Sequence, residues 1–183
     1  MKKILIGCGI GLVVLAVGGA LAILALSSAV RSARTRAMEL TAARHLIIYA
    51  EGQQRYRQFL KDKGKPETYA SSAAVLAEGR DAGGNSFIPF SIAGSADGSE
   101  FGGYAFKELK TINGRPIDWS KEFAMCAIPV ANVEGGQGRR LFVITTDGIV
   151  WSRKAELGVG FVEDLPASPD RAGWQRYEAD MPR

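Results

Sequence analysis

His45 is the sole histidine among 183 residues, and that alone removes most familiar chemistry. A serine or cysteine triad, or a metal site with several imidazoles, would have to be built around it. It falls in helical sequence just beyond a long apolar run, which predicts a solvent-facing helical residue and not the wall of a cleft. The chain holds no C-x-x-C, H-E-x-x-H or G-x-S-x-G pattern and no P-loop lysine motif. Of its two cysteines, Cys8 lies in the apolar run and Cys126 in the apolar string 123–130. So placed, they cannot make a disulfide framework, and Cys126 is expected to be a small buried hydrophobe and not a nucleophile.

Asp97, Glu100, Asp118, Glu122, Glu163 and Asp164 stand in loop-like sequence, where two carboxylates brought together can serve as general acid and base. Their spacing pairs none of them. Asp97-Gly98-Ser99-Glu100 offers oxygen ligands but lacks the alternating carboxylates and closing glutamate of a calcium loop. Gly135, Gly136 and Gly138, followed by Arg139 and Arg140, read as a hairpin connection running into a charged strand start, not as an anion cradle. Gly7, Gly9 and Gly11 miss the dinucleotide fingerprint because Leu12 stands where its last glycine belongs. No catalytic residue, cofactor-binding residue, cofactor or metal ligand is expected. What the small residues can do is pack helices: Gly7 and Gly11 form a G-x-x-x-G pair, and Gly18/Ala22 and Ala16/Ala20 repeat the small-residue spacing that lets two membrane helices approach closely.

The element that must carry those glycines is plain. Residues 4–30 are 27 positions without a charge. As a helix they extend about 40 Å, more than the roughly 30 Å hydrocarbon core of a bilayer. Lys2 and Lys3 precede the run, and Arg31, Arg34 and Arg36 follow it. A cleaved secretory signal would have a shorter apolar region with a small-residue site behind it. Leu5-Ile6-Gly7-Cys8 imitates a lipoprotein box, but here the apolar stretch follows the cysteine. Residues 1–36 are therefore expected to be an uncleaved transmembrane anchor. The net charge of +4 belongs to its flanks, since residues 37–183 carry a net −1. Lipid headgroups, not nucleic acid, are the expected partner of those cations.

Residues 37–183 are expected to form one domain of α+β class. Ala42, Leu46, Tyr49, Gln53, Tyr56 and Leu60 alternate four and three apart, an amphipathic helix over 37–63 that continues the anchor and stops at Gly64 and Pro66. Residues 64–103 read as a connector with one short helix at 71–78. An antiparallel sheet is expected within 104–153, from strands at 104–109, 123–128, 141–145 and 149–153, with Thr146-Asp147-Gly148 as a tight turn. The tail 154–183 has three prolines, so coil or a short helix is expected, with Phe161 and Trp174 packing back on the sheet.

A membrane helix running into an amphipathic half, a connector and a small antiparallel sheet resembles the plan of a type IV pilin or type II secretion pseudopilin. Gly103-Tyr104-Ala105-Phe106, the run 123–129, Gly138-Arg139-Arg140-Leu141-Phe142-Val143 and Asp147-Gly148-Ile149-Val150 are similar to a bacterial pseudopilin-related family without established catalytic residues. These segments span about 50 residues. The resemblance implies a single-pass protein of the bacterial inner membrane with its N-terminus cytoplasmic and its domain extracytoplasmic, although the basic residues counted alone lean slightly the other way. The expected function is a non-enzymatic one, with contacts to envelope or secretion proteins and, from the small-residue spacing, a homo-oligomer through the transmembrane helix; the alternative is a membrane-anchored surface enzyme or ligand-binding module with a non-standard site. The family's leader has Phe-Thr-Leu and a glutamate after its cleavage glycine. Here no acid stands anywhere in the span, so the chain reads as an uncleaved relative.

Overall fold

Ala42, Ala43, Leu46, Tyr49, Ala50, Gln53 and Leu60 recur at helical spacing and are all buried, so one stripe of a helix builds half of the core. That helix is α1 (Lys2–Asp62). The computed structural model describes residues 2–130, 140–155, 161–166 and 169–178, with side chains from Leu26 onward except at 95, 97–99 and 171. Two compact units divide the chain, Met1–Ala37 and Met38–Arg183. In the first, Leu26 and Val30 are exposed by 67% and 60%. Among the described residues no helix is long and apolar enough to cross a membrane. The expected anchor falls largely on positions before Leu26, outside the described side chains.

In the second unit α1 ends where its sequence says it must. Gly64 N–H donates to Lys61 O and Lys65 N–H to Leu60 O, a pair of bonds that satisfies the last carbonyls. The chain then folds back through α2 (Ala73–Glu78) and α3 (Phe90–Ser95). Ser72 caps α2, its hydroxyl accepting from Val75 N–H.

Among the described residues nine strands follow: β1 (Asp97–Phe101), β2 (Tyr104–Glu108), β3 (Thr111–Ile112), β4 (Arg115–Pro116), β5 (Ala124–Pro129), β6 (Arg140–Thr145), β7 (Val150–Lys154), β8 (Asp164–Leu165) and β9 (Gln175–Arg176). Six of them make an antiparallel sheet in the order β1-β2-β5-β6-β7-β9. The register Phe106↔Ala127↔Phe142↔Ser152 puts those residues on one face. With Tyr104, Phe123, Met125, Ile144 and Val150 they close over the buried stripe of α1. The alternate residues Ala124, Cys126, Leu141 and Val143 face the other way, under Leu109, Ile117, Leu165 and Trp174. The domain is thus α+β, with helix on one face of the sheet and the small sheet β4-β3-β8 with the C-terminal segment on the other.

Three expectations need correcting. The connector is not loop between 83 and 103, because α3 and β1 lie there. Its strand residues are poor β-formers, and pairing with β2 across the turn Gly102-Gly103 makes the strand. Both glycines have positive φ, 61° and 82°, the backbone of a two-residue hairpin turn that side-chain-bearing residues rarely adopt. The single sheet expected is present and antiparallel, but beside it stands a small second sheet, in which β3 and β8 run parallel. The tail is not only coil or short helix: it supplies β8, β9 and a 3₁₀ turn at Asp170–Ala172, and it buries Trp174 while Phe161 packs at the edge of the second core.

Candidate functional site

The helix-association candidates Gly7, Gly11, Gly18 and Ala22 lie on α1 before Leu26, outside the described side chains. Gly135, Gly136, Gly138 and Arg139 also fall outside the described residues. Arg140 opens β6. Its guanidinium donates to Ser152 Oγ at 3.2 Å and its carbonyl accepts from the Tyr104 hydroxyl at 3.1 Å, so it ties strands together.

Three of the candidate carboxylates gather around the short hairpin β3–β4, and each is occupied. Glu122 takes both terminal nitrogens of Arg115, the second at 2.9 Å. Asp118 accepts from the Ser120 hydroxyl at 2.6 Å and meets Lys121 Nζ at 3.0 Å. The Ser120 hydroxyl first, and then Lys121, hold the Asp118 carboxyl down at about 2. Arg115 likewise lowers Glu122. Asp164 Oδ1 accepts from Gly114 N–H at 3.0 Å in the β3–β4 turn. All three fasten the hairpin, and Asp118 and Glu122, held ionised in this way, do not donate protons near neutrality. Asp97 and Glu100 are in β1, where the Asp97-Gly98-Ser99-Glu100 segment is strand and not a cation loop. Among the described residues no three His, Cys, Asp or Glu side chains gather to hold a metal ion.

His45 is not the solvent-facing residue expected. Its ring packs on Phe101 and Phe106, with centroids 4.7 and 5.7 Å away. Ala42 and Tyr49, three before and four after it, belong to the buried stripe. That puts His45 on the flank of the stripe, where the β1–β2 hairpin reaches over it. Cys126 is buried as expected. Burial pushes its thiol up to about 12, which leaves no thiolate for nucleophilic work.

Sequence reasoning missed a polar node in the core. Gln53 is fully buried, and its Nε2 donates to the Tyr49 hydroxyl at 2.8 Å and to Ala70 O at 2.9 Å, while Ala70 N–H donates to Oε1 at 2.8 Å. Tyr49 is raised by burial first and by the neighbouring charge of Glu108 second. Glu108 is itself raised by burial, and its Oε1 accepts Ala73 N–H at 2.7 Å at the start of α2. A polar residue in an apolar helical stripe was the available signal. The helix spacing placed Gln53 in the core, but nothing in the sequence named Ala70 as its partner.

Two open grooves border this core. One, of about 590 Å³, runs between α1 and the β6–β7 turn, with Ile47, Ala50 and Ile144 as apolar floor and Glu51 and Asp147 among its rims. The other, of about 440 Å³, holds Glu108 beside Lys107, Lys110 and Trp119. Compared with known proteins, the chain matches no family profile, no curated protein and no solved structure.

Proposed function

We propose that this chain is a non-enzymatic, single-pass membrane-anchored protein of the bacterial inner membrane, its pilin-like domain on the extracytoplasmic side making protein–protein contacts in an envelope or secretion-type assembly. The observation that carries this reading is α1, one helix whose sequence begins as an uncharged run of 27 residues and whose second half is the buried stripe of the domain core. Leu26 and Val30, at the end of that run, are exposed, which suits apolar side chains that meet lipid. The titratable groups described above are engaged in fastening the fold, which suits a scaffold that presents surface and does no chemistry. Membrane lipid, a second copy through the apolar helix, and envelope proteins are the partners this assigns.

The test is extraction and topology of the full chain in bacterial membranes. It stays in the pellet through alkaline carbonate washing, and protease added to spheroplasts digests residues beyond the anchor. Release by carbonate, or a domain protected from protease until the membrane is lysed, overturns the reading. Self-association has its own readout, because Cys8 stands between Gly7 and Gly9. Oxidation should crosslink Cys8 between copies, and Gly7→Leu with Gly11→Leu should remove most of that crosslink while leaving membrane insertion unchanged. Undiminished crosslinking would overturn association through these glycines.

A further inference from the structure

A neutral imidazole suits the place His45 occupies, and a protonated one does not. The ring is tilted at 45° and 49° to Phe101 and Phe106, and its Nδ1 is buried without a hydrogen-bond partner. A bare lone pair there is tolerable. Protonation puts an N–H on both nitrogens, and the one on Nδ1 would point into aromatic carbon with no acceptor. Burial holds the imidazole below its ordinary value of 6.5, and no neighbouring charge contributes to the shift. The charged groups around it fit that account. On α1, Arg44 beside it is exposed, and Glu39, six residues earlier, is buried. From β1 come Asp97, at the start of the strand away from the turn, and Glu100, exposed; on β2, Glu108 shares the face of Phe106 and its Oε1 accepts Ala73 N–H, while Lys107 lies on the opposite face; and α3 carries no titratable side chain.

The element resting on His45 is the edge of the sheet, held otherwise by β2 and by packing against α3. β1 is an edge strand bonded to β2 alone, and its register is broken by an irregularity between Asp97 and Glu100. Its tip meets α1 through Phe101 on His45 and through Gly102, which sits against Thr41. Phe101 remains 38% exposed.

We propose that the tip of the β1–β2 hairpin is a pH-sensitive latch, docked on α1 while His45 is neutral and released when His45 takes a proton, uncovering the Phe106 ring and the edge of β2. The direction follows from linkage. A docked imidazole whose proton affinity is depressed contributes its full stabilisation above pH 6.5 and loses it as the pH falls from there through the docked-state value.

Because His45 is the sole histidine, its ring resonances can be followed by NMR in the full chain in detergent micelles without assignment ambiguity. Amide exchange over residues 97–106, corrected for intrinsic rates, reports the latch. The ring should titrate below 6.5, and the opening constant of the hairpin should rise between pH 7.5 and 5.0, by at most about thirtyfold if only the open form binds the proton. His45→Phe keeps the ring packing and should leave the hairpin protected at both pH values. Phe101→Ala, which needs no change at His45, should expose the hairpin at both and return the ring to near 6.5. A ring titrating above 6.5 would show that the two phenyl faces hold the imidazolium. That result overturns the latch, as does protection that does not change with pH or a pH response that survives in His45→Phe.

Discussion

Gln53 shows how much a single buried amide can specify. Two of its three hydrogen bonds tie the middle of α1 to Ala70, where the chain turns back along the helix, and the third holds the Tyr49 hydroxyl. Gln53→Leu keeps the volume and strands the backbone N–H and C=O of Ala70 in the core, so it should lower unfolding stability by about 3 kcal/mol in a urea titration. A loss below about 1 kcal/mol would mean that water replaces the amide. The helical period made Gln53, Leu46 and Tyr49 legible as core, since burial follows spacing. Partners 17 residues away depend on how the connector folds, which no local pattern states. His45 was misplaced for the same reason: its spacing put it on the flank of the stripe, and the hairpin that covers that flank is invisible until β1 is known to be a strand.

At the scale of elements, Gly52 governs how closely α1 and the connector meet. A methyl built there would lie 2.3 Å from Ile88 Cγ2 and 2.9 Å from Phe87 O, distances that require something to move. The Arg55 guanidinium also donates to that same Phe87 carbonyl, so the bend at 87–88 is pinned to the helix from two sides. Gly52→Ala, although it favours helix, should therefore destabilise the domain by about 2 kcal/mol in thermal or urea unfolding. Combined with Ile88→Ala it should cost less than the sum of the two single changes, because the second removes what the first collides with. A stabilising Gly52→Ala would refute the close approach. Long elements with strong periodicity, α1 and the central strands β2, β5, β6 and β7, were legible within a residue or two of their ends. The six-residue α3 and the edge strand β1 were not. Phe90–Ser95 contains few helix formers and Asp97–Phe101 few strand formers, and both exist because neighbours pair with or cover them.

At the largest scale, the unit Met38–Arg183 is a sheet covered on both faces, one cover coming from its N-terminal helix and the other completed by its C-terminal segment. α1 closes one face. The other depends on Leu165 and Trp174, with Arg153 over the Trp174 ring at 4.8 Å. Trp174→Ala should open that face, and the readout is Cys126: alkylation by a maleimide, located by peptide mass, should be negligible in the parent chain and appear under native conditions in the variant. Labelling of Cys126 in the parent at the rate of a free thiol would contradict the burial described. The parallel pairing of β3 with β8 carries this further, because Thr111 and Ile112, paired on one side with nearby β4, find their partners on the other side at Asp164 and Leu165. During synthesis the helix and the four central strands emerge first, and their outer face, Ala124, Cys126, Leu141 and Val143, has Leu109 and Ile117 over it but lacks Leu165 and Trp174 until residues 165–174 follow. A ribosome stalled short of that point would hold a chain with a nearly finished sheet and a half-covered greasy side, a natural client for whatever chaperone guards the nascent protein.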